Sequence, residues 1–296
     1  GSGQALRLPK VSATLSARSL LGWQLRFEQL HVDGAALEVR RDSAGRLFVA
    51  GIEIRAGTAD DDSEGAGTDW LLAQHEIAVR NGRVRWIDEQ RAAPPLELSA
   101  VDLVLRNGLA GHELRLDATP PLQVGQRFTL QGKFRQPLLA RRSDWQRWSG
   151  TAFAELPQAD AAALRPWLVA LPVEVPQGEG ALRAWVEVAA GEVKSVQADL
   201  ALRKVQLRFP GRTAQALPFE RLQGRVSAAR DGRTLRFTAE QLSFASGSIE
   251  WPATRWNLSL RERAAEGEPV AVNAAASAAP PSFDGGELTA DRIDIG

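Results

Sequence analysis

Apolar and polar residues alternate with a period of two along most of this chain. In residues 126–135, QRFTLQGKFR, the apolar residues Phe128, Leu130 and Phe134 share one parity, and charged or polar residues take the other. Successive side chains of a β-strand point to opposite faces, so the pattern predicts strands with one apolar and one polar face. Similar runs cover residues 22–32, 36–41, 46–54, 96–106, 112–118, 180–190, 196–209, 219–229, 233–244 and 255–261.

Residues 77–86, IAVRNGRVRW, predict a tight hairpin. Asn81-Gly82 favours a two-residue type I′ turn, because both central residues of that turn need a positive φ. In such a hairpin the apolar residues of the two arms share one face. These residues are Ile77, Val79, Val84 and Trp86.

Helical periodicity is scarce. Residues 158–169 predict one short helix, in which Asp160 caps the first turn and Pro166 limits the length. Two stretches without periodicity, 55–69 and 263–285, predict flexible loops.

The alternation changes phase at Arg203-Lys204, where it predicts a bulge or a tight bend. The sequence therefore predicts an all-β fold: one elongated, curled antiparallel sheet with one or two short helices, extending over residues 1–296. So long a sheet has to twist, curl or fold over itself. Periodicity alone leaves open whether the apolar face is an open groove or the sealed core of a sandwich.

Composition excludes several kinds of function. Lys and Arg number 36, as do Asp and Glu, and this zero net charge argues against a nucleic-acid partner. The absence of cysteine excludes disulfides, thiol nucleophiles and thiolate metal sites. No apolar run approaches the roughly 18 residues that span a bilayer.

Catalytic and metal-binding motifs are missing. The three histidines, His31, His75 and His112, lie far apart in the sequence, and we expect no metal triad and no catalytic residue. The acidic run 60–64 lacks the ligand spacing of a calcium loop, so a solvated loop is expected. We also expect no cofactor.

One tryptophan departs from the apolar pattern. Trp185 shares its parity with Arg183 and Glu187, so it is expected to be exposed or covered by another element. Carbohydrate-binding proteins also display solvent-facing aromatic side chains. A carbohydrate-binding β-protein therefore stands as one alternative.

Seven strand-and-turn stretches occur in an order that is typical of a known family. They are LPKVSATLSARSLL (8–21), RFEQLHVDGAALEVRRDSAGRLFVAGI (26–52), IAVRNGRVRWIDEQRAAPPLELSAVDLVLRN (77–107), HELRLDATPP (112–121), GKFRQPLL (132–139), WSGTAFAELPQAD (148–160) and WPATRWNLSL (251–260). Together they resemble the YhdP branch of the AsmA-like proteins of Gram-negative envelopes. None of these stretches is catalytic, so the resemblance depends on their number and order.

The resemblance implies a β-groove that conducts phospholipids between the inner and outer membranes without catalysis. It implies phospholipid acyl chains as the ligand and other envelope proteins as further partners. It also implies that this chain is a periplasmic fragment of a protein anchored in the inner membrane. A structural module for envelope assembly is the alternative from a different class.

The groove lining is expected to consist of apolar residues that share the inward parity of their strands. They are Ile77, Val79, Val84, Trp86, Phe128, Leu130, Phe134, Leu182, Val186, Val188, Leu200 and Leu202.

Overall fold

The chain forms one large β-sheet in a computed structural model, which describes residues 6–7, 10–15, 27–54, 66–138, 140–167, 174–208, 216–262 and 283–291. The strands are β1 (Leu6–Arg7), β2 (Lys10–Leu15), β3 (Phe27–Asp33), β4 (Ala36–Arg41), β5 (Leu47–Val49), β6 (Ile52–Ile54), β7 (Glu76–Asp88), β8 (Ala93–Asn107), β9 (Gly111–Thr119), β10 (Phe128–Arg135), β11 (Ser149–Asp160), β12 (Glu174–Ala189), β13 (Glu192–Arg208), β14 (Leu217–Asp231), β15 (Thr234–Ser246), β16 (Ile249–Glu262) and β17 (Phe283–Ala290). The helices are α1 (Ala66–Ala73) and α2 (Ala161–Leu164), with 3₁₀ turns at Trp145–Arg147 and Arg165–Trp167.

The strands from β7 to β17 form an antiparallel meander. Each pairs with the next strand along the chain. Several connections are two-residue loops, such as Ala190-Gly191, where φ is 51° and 74°. Two consecutive positive φ values suit a type I′ turn, whose twist matches that of the strands it joins. The all-β, mostly antiparallel fold is confirmed, and the sheet is not closed.

The other edge of β7 carries two collinear strands. β3 pairs in parallel with the first half of β7, and β4 pairs in parallel with the second half. β2 then pairs with β3, and β5 pairs with β4. β7 therefore has strand partners along both of its edges.

The hairpin predicted at Asn81-Gly82 is wrong, because β7 runs through both residues as one strand. Asn81 keeps the expected positive φ, 47°, but the register against β8 shifts there, as it does at a bulge. The break between β3 and β4 lies opposite: Gly34 N donates to Arg80 O at 2.9 Å, and Arg83 N donates to Ala35 O at 2.7 Å. Partners on both edges satisfy the backbone groups that a hairpin would have paired with each other.

The phase change predicted at Arg203-Lys204 is present. Lys204 has φ 51°, and the register between β12 and β13 shifts beside it, between Gln177 and Glu179. After the shift Val205 is buried, with 1% exposure.

The helix predicted for 158–169 begins three residues later. Residues 158–160 belong to β11, and Asp160 caps α2 as expected, since its carboxylate accepts from Ala163 N at 3.0 Å. The 3₁₀ turn Arg165–Trp167 continues the helix, and residues 168–169 lie outside the described part of the chain.

The two predicted loops end earlier than expected. Residues 66–69 are the first turn of α1, so the loop prediction is wrong there, and residues 55–65 lie outside the described residues. Likewise 283–285 begin β17, and 263–282 lie outside. Both elements are held by neighbours distant in the sequence, which local composition does not report.

The described strands all belong to this one sheet, so no second described sheet seals either face. The buried core cluster is small: Val32, Ala35 and Val79, with Leu30, Leu37 and Leu103 packed around them. It lies where β3 and β4 meet β7. A sealed sandwich is therefore not the architecture of the described residues.

Candidate functional site

One face of the meander carries two neighbouring apolar rows that run from β7 to β17; we call it the apolar face. Residues directly opposite each other in an antiparallel pair point to the same side of the sheet. One row across the eleven strands consists of Val79, Leu103, Leu116, Leu130, Ala154, Ala184, Ala198, Val226, Ala239, Trp256 and Ala290. The neighbouring row consists of Ile77, Leu105, Leu114, Gly132, Ala152, Val186, Val196, Ala228, Phe237, Leu258 and Leu288.

No position in these two rows is polar or charged. At about 4.8 Å per strand, ten spacings give each row a length of roughly 48 Å. The rows therefore form a continuous apolar surface longer than an extended acyl chain.

The structure places all twelve predicted lining residues on the apolar face. Val79 and Leu130 lie in the first row, and Ile77 and Val186 in the second. Val84 and Trp86 reach the same face because the bulge at Asn81 shifts the parity of β7 by one residue. Phe128, Phe134, Leu182, Val188, Leu200 and Leu202 keep the parity of the rows within their own strands. That they contact a lipid stays a prediction.

The apolar face is incompletely covered by protein. Ile77 and Val79 are buried, at 7% exposure each, but the other ten predicted residues are half-buried. The centre of the face is built from small side chains, at Ala152, Ala154, Ala184 and Ala198.

An aromatic cluster forms the β15–β16 side of this face. The rings of Phe244 and Trp251 stack 5.7 Å apart with planes 3° apart, and Trp256 lies 6.2 Å from Trp251. Buried Thr254 accepts from both indole N–H groups, at 3.1 Å from Trp251 and 2.8 Å from Trp256. Its hydroxyl lies 3.2 Å from Leu242 O.

A buried polar network lies near the end of β8. Asn107 Nδ2 donates to Gln74 O at 2.9 Å, which turns Asn107 Oδ1 toward His112 Nδ1 at 2.7 Å. His112 Nε2 lies 3.1 Å from the Gln136 side chain, and the imidazole stacks on Trp148. Burial lowers the pKa of His112, and the charge of nearby Arg142 acts in the same direction.

The helix α1 is tied to this network through the segment before β11. Ser143 N donates to Asp69 Oδ1 at 2.8 Å, and Arg142 donates to Leu72 O at 2.9 Å and to Gly108 O at 3.0 Å. These bonds hold α1 and residues 141–148 together as a cap at one end of the apolar face.

The opposite face is polar and carries ion pairs; we call it the polar face. Arg106 bonds to Glu76, Arg115 to Asp117 and Arg225 to Asp199. In each pair the arginine holds the pKa of the carboxyl below its ordinary value. The two faces of the sheet thus present opposite chemistry.

The described residues gather no group of three metal-ligating side chains. His31 contacts Glu76 and His75 lies 4.0 Å from Glu28, while His112 belongs to the buried network. The three histidines are held apart. In the described part of the chain, no helix is both long and apolar enough to cross a membrane.

Comparison with known protein families assigns this chain to a family. A family model described as YhdP protein matches residues 1–290. The chain belongs to the YhdP family. No curated protein and no solved structure matches it. YhdP proteins form a family of the Gram-negative envelope, and membership suggests a role in envelope lipid transport rather than in catalysis.

Sequence reasoning missed part of this YhdP-family surface. Leu103, Leu116, Val226, Phe237 and Leu258 are among the row residues that were not predicted, although each lies in a run whose alternation is visible. Alternation shows which residues of one strand share a face. Which residues of neighbouring strands lie side by side depends on the register, and the sequence does not show the register.

Proposed function

We propose that this chain binds the acyl chains of phospholipids along its apolar face and conducts them across the periplasm between the inner and outer membranes. The observation that supports the proposal is the pair of apolar rows, which cross eleven strands without a polar residue. In this proposal the chain is the periplasmic part of a protein anchored in the inner membrane, and it catalyses no reaction.

The energetic need for such a surface is large. Each CH₂ group exposed to water costs about 0.8 kcal/mol, so an acyl chain of roughly fifteen carbons faces on the order of 12 kcal/mol. Contact with a continuous apolar face removes the part of that cost that comes from the covered side of the tail, while the head group stays in water. The half-buried side chains of the face are those that a tail would cover.

The same surface permits movement along it. Tails make no hydrogen bonds, and the rows offer similar aliphatic contacts from strand to strand. No single position therefore binds a tail much more strongly than its neighbours, and a tail can slide from one strand to the next. A charged residue in a row would interrupt this path, because its desolvation is costly.

The proposal is tested by placing a photocrosslinking amino acid on each face in turn and extracting the bound lipid. Positions Leu130 and Val186 report on the apolar face, and their neighbours Gln131 and Glu187 are matched controls on the polar face. We expect radiolabelled phospholipid to crosslink at Leu130 and Val186 only. Equal capture at all four positions, or none at the apolar ones, would overturn the proposal.

A substitution provides a second arm. Leu130→Asp should lower phospholipid co-purification severalfold, and Gln131→Asp should leave it unchanged, provided that circular dichroism shows both variants folded. Recovery of a stoichiometric protein partner with no lipid in either preparation would instead support a module for envelope assembly.

A further inference from the structure

The polar face carries a recess that the proposed lipid path does not use. Its volume is about 390 Å³, within the range of roughly 300–1,000 Å³ typical of small-molecule sites. We call it the polar-face recess, and its walls include Arg106, Arg115, Gln131, Lys133, Phe153 and Trp185.

Two neighbouring rows of the polar face build this recess across β8 to β12. In one row Arg115 lies opposite Gln131, Gln131 opposite Phe153, and Phe153 opposite Trp185. In the other row Glu113 lies opposite Lys133, and Lys133 opposite Thr151. Leu114, Gly132 and Ala152 also border the recess. Leu114 and Ala152 direct their side chains to the apolar face and Gly132 has none, so all three contribute main chain to the floor of the recess.

Two aromatic rings lie side by side in the wall of the recess. The ring centroids of Phe153 and Trp185 lie 5.3 Å apart, with an angle of 44° between the planes. Trp185 remains 37% exposed, so part of the indole is free to meet a ligand. Phe153 supports the indole from one side and limits the positions it can take.

The charged groups of the recess are balanced. Lys133 Nζ lies 3.0 Å from Glu113 Oε1, Arg115 pairs with Asp117 at 2.8 Å, and Arg106 pairs with Glu76 at 2.8 Å. Hydrogen-bond donors and acceptors therefore stand side by side with no excess of positive charge. Such a site does not favour an anion.

From this geometry we propose that the polar-face recess binds a neutral saccharide. A sugar hydroxyl donates and accepts at the same time, so adjacent charged donors and acceptors such as Lys133 and Glu113 satisfy it in both roles. The apolar C–H face of a pyranose ring packs on the exposed indole of Trp185, whose ring combines a large contact area with a polar edge. The recess and the proposed lipid path lie on opposite faces of the sheet, so a result that overturns one proposal leaves the other unaffected.

The test is a titration of the full 296-residue chain with cellotriose, maltotriose and triacetylchitotriose, followed by calorimetry and by saturation-transfer NMR. We expect at least one trisaccharide to bind with a dissociation constant on the order of 1 mM or below. Trp185→Ala should weaken this binding about tenfold, and Trp185→Phe should restore part of it.

Matched controls separate the recess from other exposed groups. Trp145, at 49% exposure, lies on a different element, and Trp145→Ala should leave sugar binding unchanged. Leu130→Asp on the apolar face should also leave it unchanged. Binding of none of the three sugars, binding that survives Trp185→Ala, or binding of inorganic phosphate in their place would overturn the proposal.

Discussion

His112 stacks flat against Trp148, with ring centroids 4.1 Å apart and ring planes 7° apart. The imidazole is nearly inaccessible to solvent, at 2% exposure, and both of its nitrogens contact amide side chains. A charged ring in this position would lose its hydration, so the folded state favours the neutral form.

This burial makes the stability of the chain depend on pH near neutrality. The pKa of His112 is lowered from 6.5, so below pH 6.5 the unfolded chain binds more protons than the folded one. The contribution of neutral His112 to the free energy of unfolding is therefore complete above pH 6.5, and it is lost as the pH falls toward the lowered pKa. We expect urea unfolding to show a falling free energy of unfolding between about pH 7.5 and pH 5.

The variant His112→Gln is the control, since it should remove this dependence over the same interval. The lowered carboxyl pKa values, such as those of Glu76 and Asp199, act in a separate range. These two carboxylates contribute fully to the free energy of unfolding above their ordinary pKa values, 4.5 for Glu76 and 3.8 for Asp199. Their contribution is lost only at lower pH. A free energy of unfolding that stays constant down to pH 5 would contradict this account of His112.

Two neighbouring arginines of β4, Arg40 and Arg41, form ion pairs that differ in burial. Asp88 has no exposed side-chain area, and Arg41 bonds to both of its oxygens, with Nε 2.9 Å from Oδ1. Arg41→Met should lower the free energy of unfolding by about 3 kcal/mol, because it leaves a buried carboxylate without its main partner. Arg40→Met breaks an exposed pair with Glu89 and should cost less than about 1 kcal/mol. If the two variants lose equal free energy of unfolding in thermal or urea denaturation, burial of the carboxylate does not determine the strength of these ion pairs.

Thr254 is predicted to stabilise the aromatic cluster through its hydroxyl. Thr254→Val keeps the shape but removes the acceptor for Trp251 and Trp256, leaving two indole N–H groups without this partner. We expect a loss of about 2 kcal/mol in the free energy of unfolding, together with altered tryptophan fluorescence. Thr238→Val, at a half-buried site on β15, is the control and should cost less. A neutral result for Thr254→Val would show that the cluster is held by ring packing alone.

Gly224 permits a close approach between β14 and β15. Its φ is 146°, and a Cβ there would lie 2.8 Å from Leu242 Cα. Gly224→Ala should therefore destabilise the chain by about 2 kcal/mol or more, since backbone atoms have to move. Gly232 also has a positive φ, 56°, but nothing lies within 4 Å of its added Cβ. Gly232→Ala should cost about 1 kcal/mol, and equal costs would contradict a role for strand approach at Gly224.

Local pattern predicted those features that depend on neighbouring residues. Parity within each strand follows from alternation, and Asp160 caps α2 because an acidic residue before Ala161 suits a helix start. The slip at Lys204 is visible because the apolar phase itself changes.

Features that depend on distant partners were not predictable in this way. Asn81 has the backbone conformation expected of a turn, but the edges supplied by β3, β4 and β8 convert it into a bulge. The surroundings of His112 come from Gln74, Asn107, Gln136 and Trp148, which only the folded register brings together. The aromatic pair at Trp185 likewise requires the alignment of β11 with β12.

Methyl NMR that detects nuclear Overhauser effects between the protein and the acyl chains of a bound phospholipid tests directly whether the tails lie along the apolar face, because these effects act only between groups in near contact. We expect such effects at the methyl groups of Leu103, Leu116 and Leu130, which lie in one row of that face. The methyl groups of Val104, which lies opposite Arg115 on the polar face, should show none. Effects at Val104, with none at the three leucines, would contradict binding of tails on the apolar face.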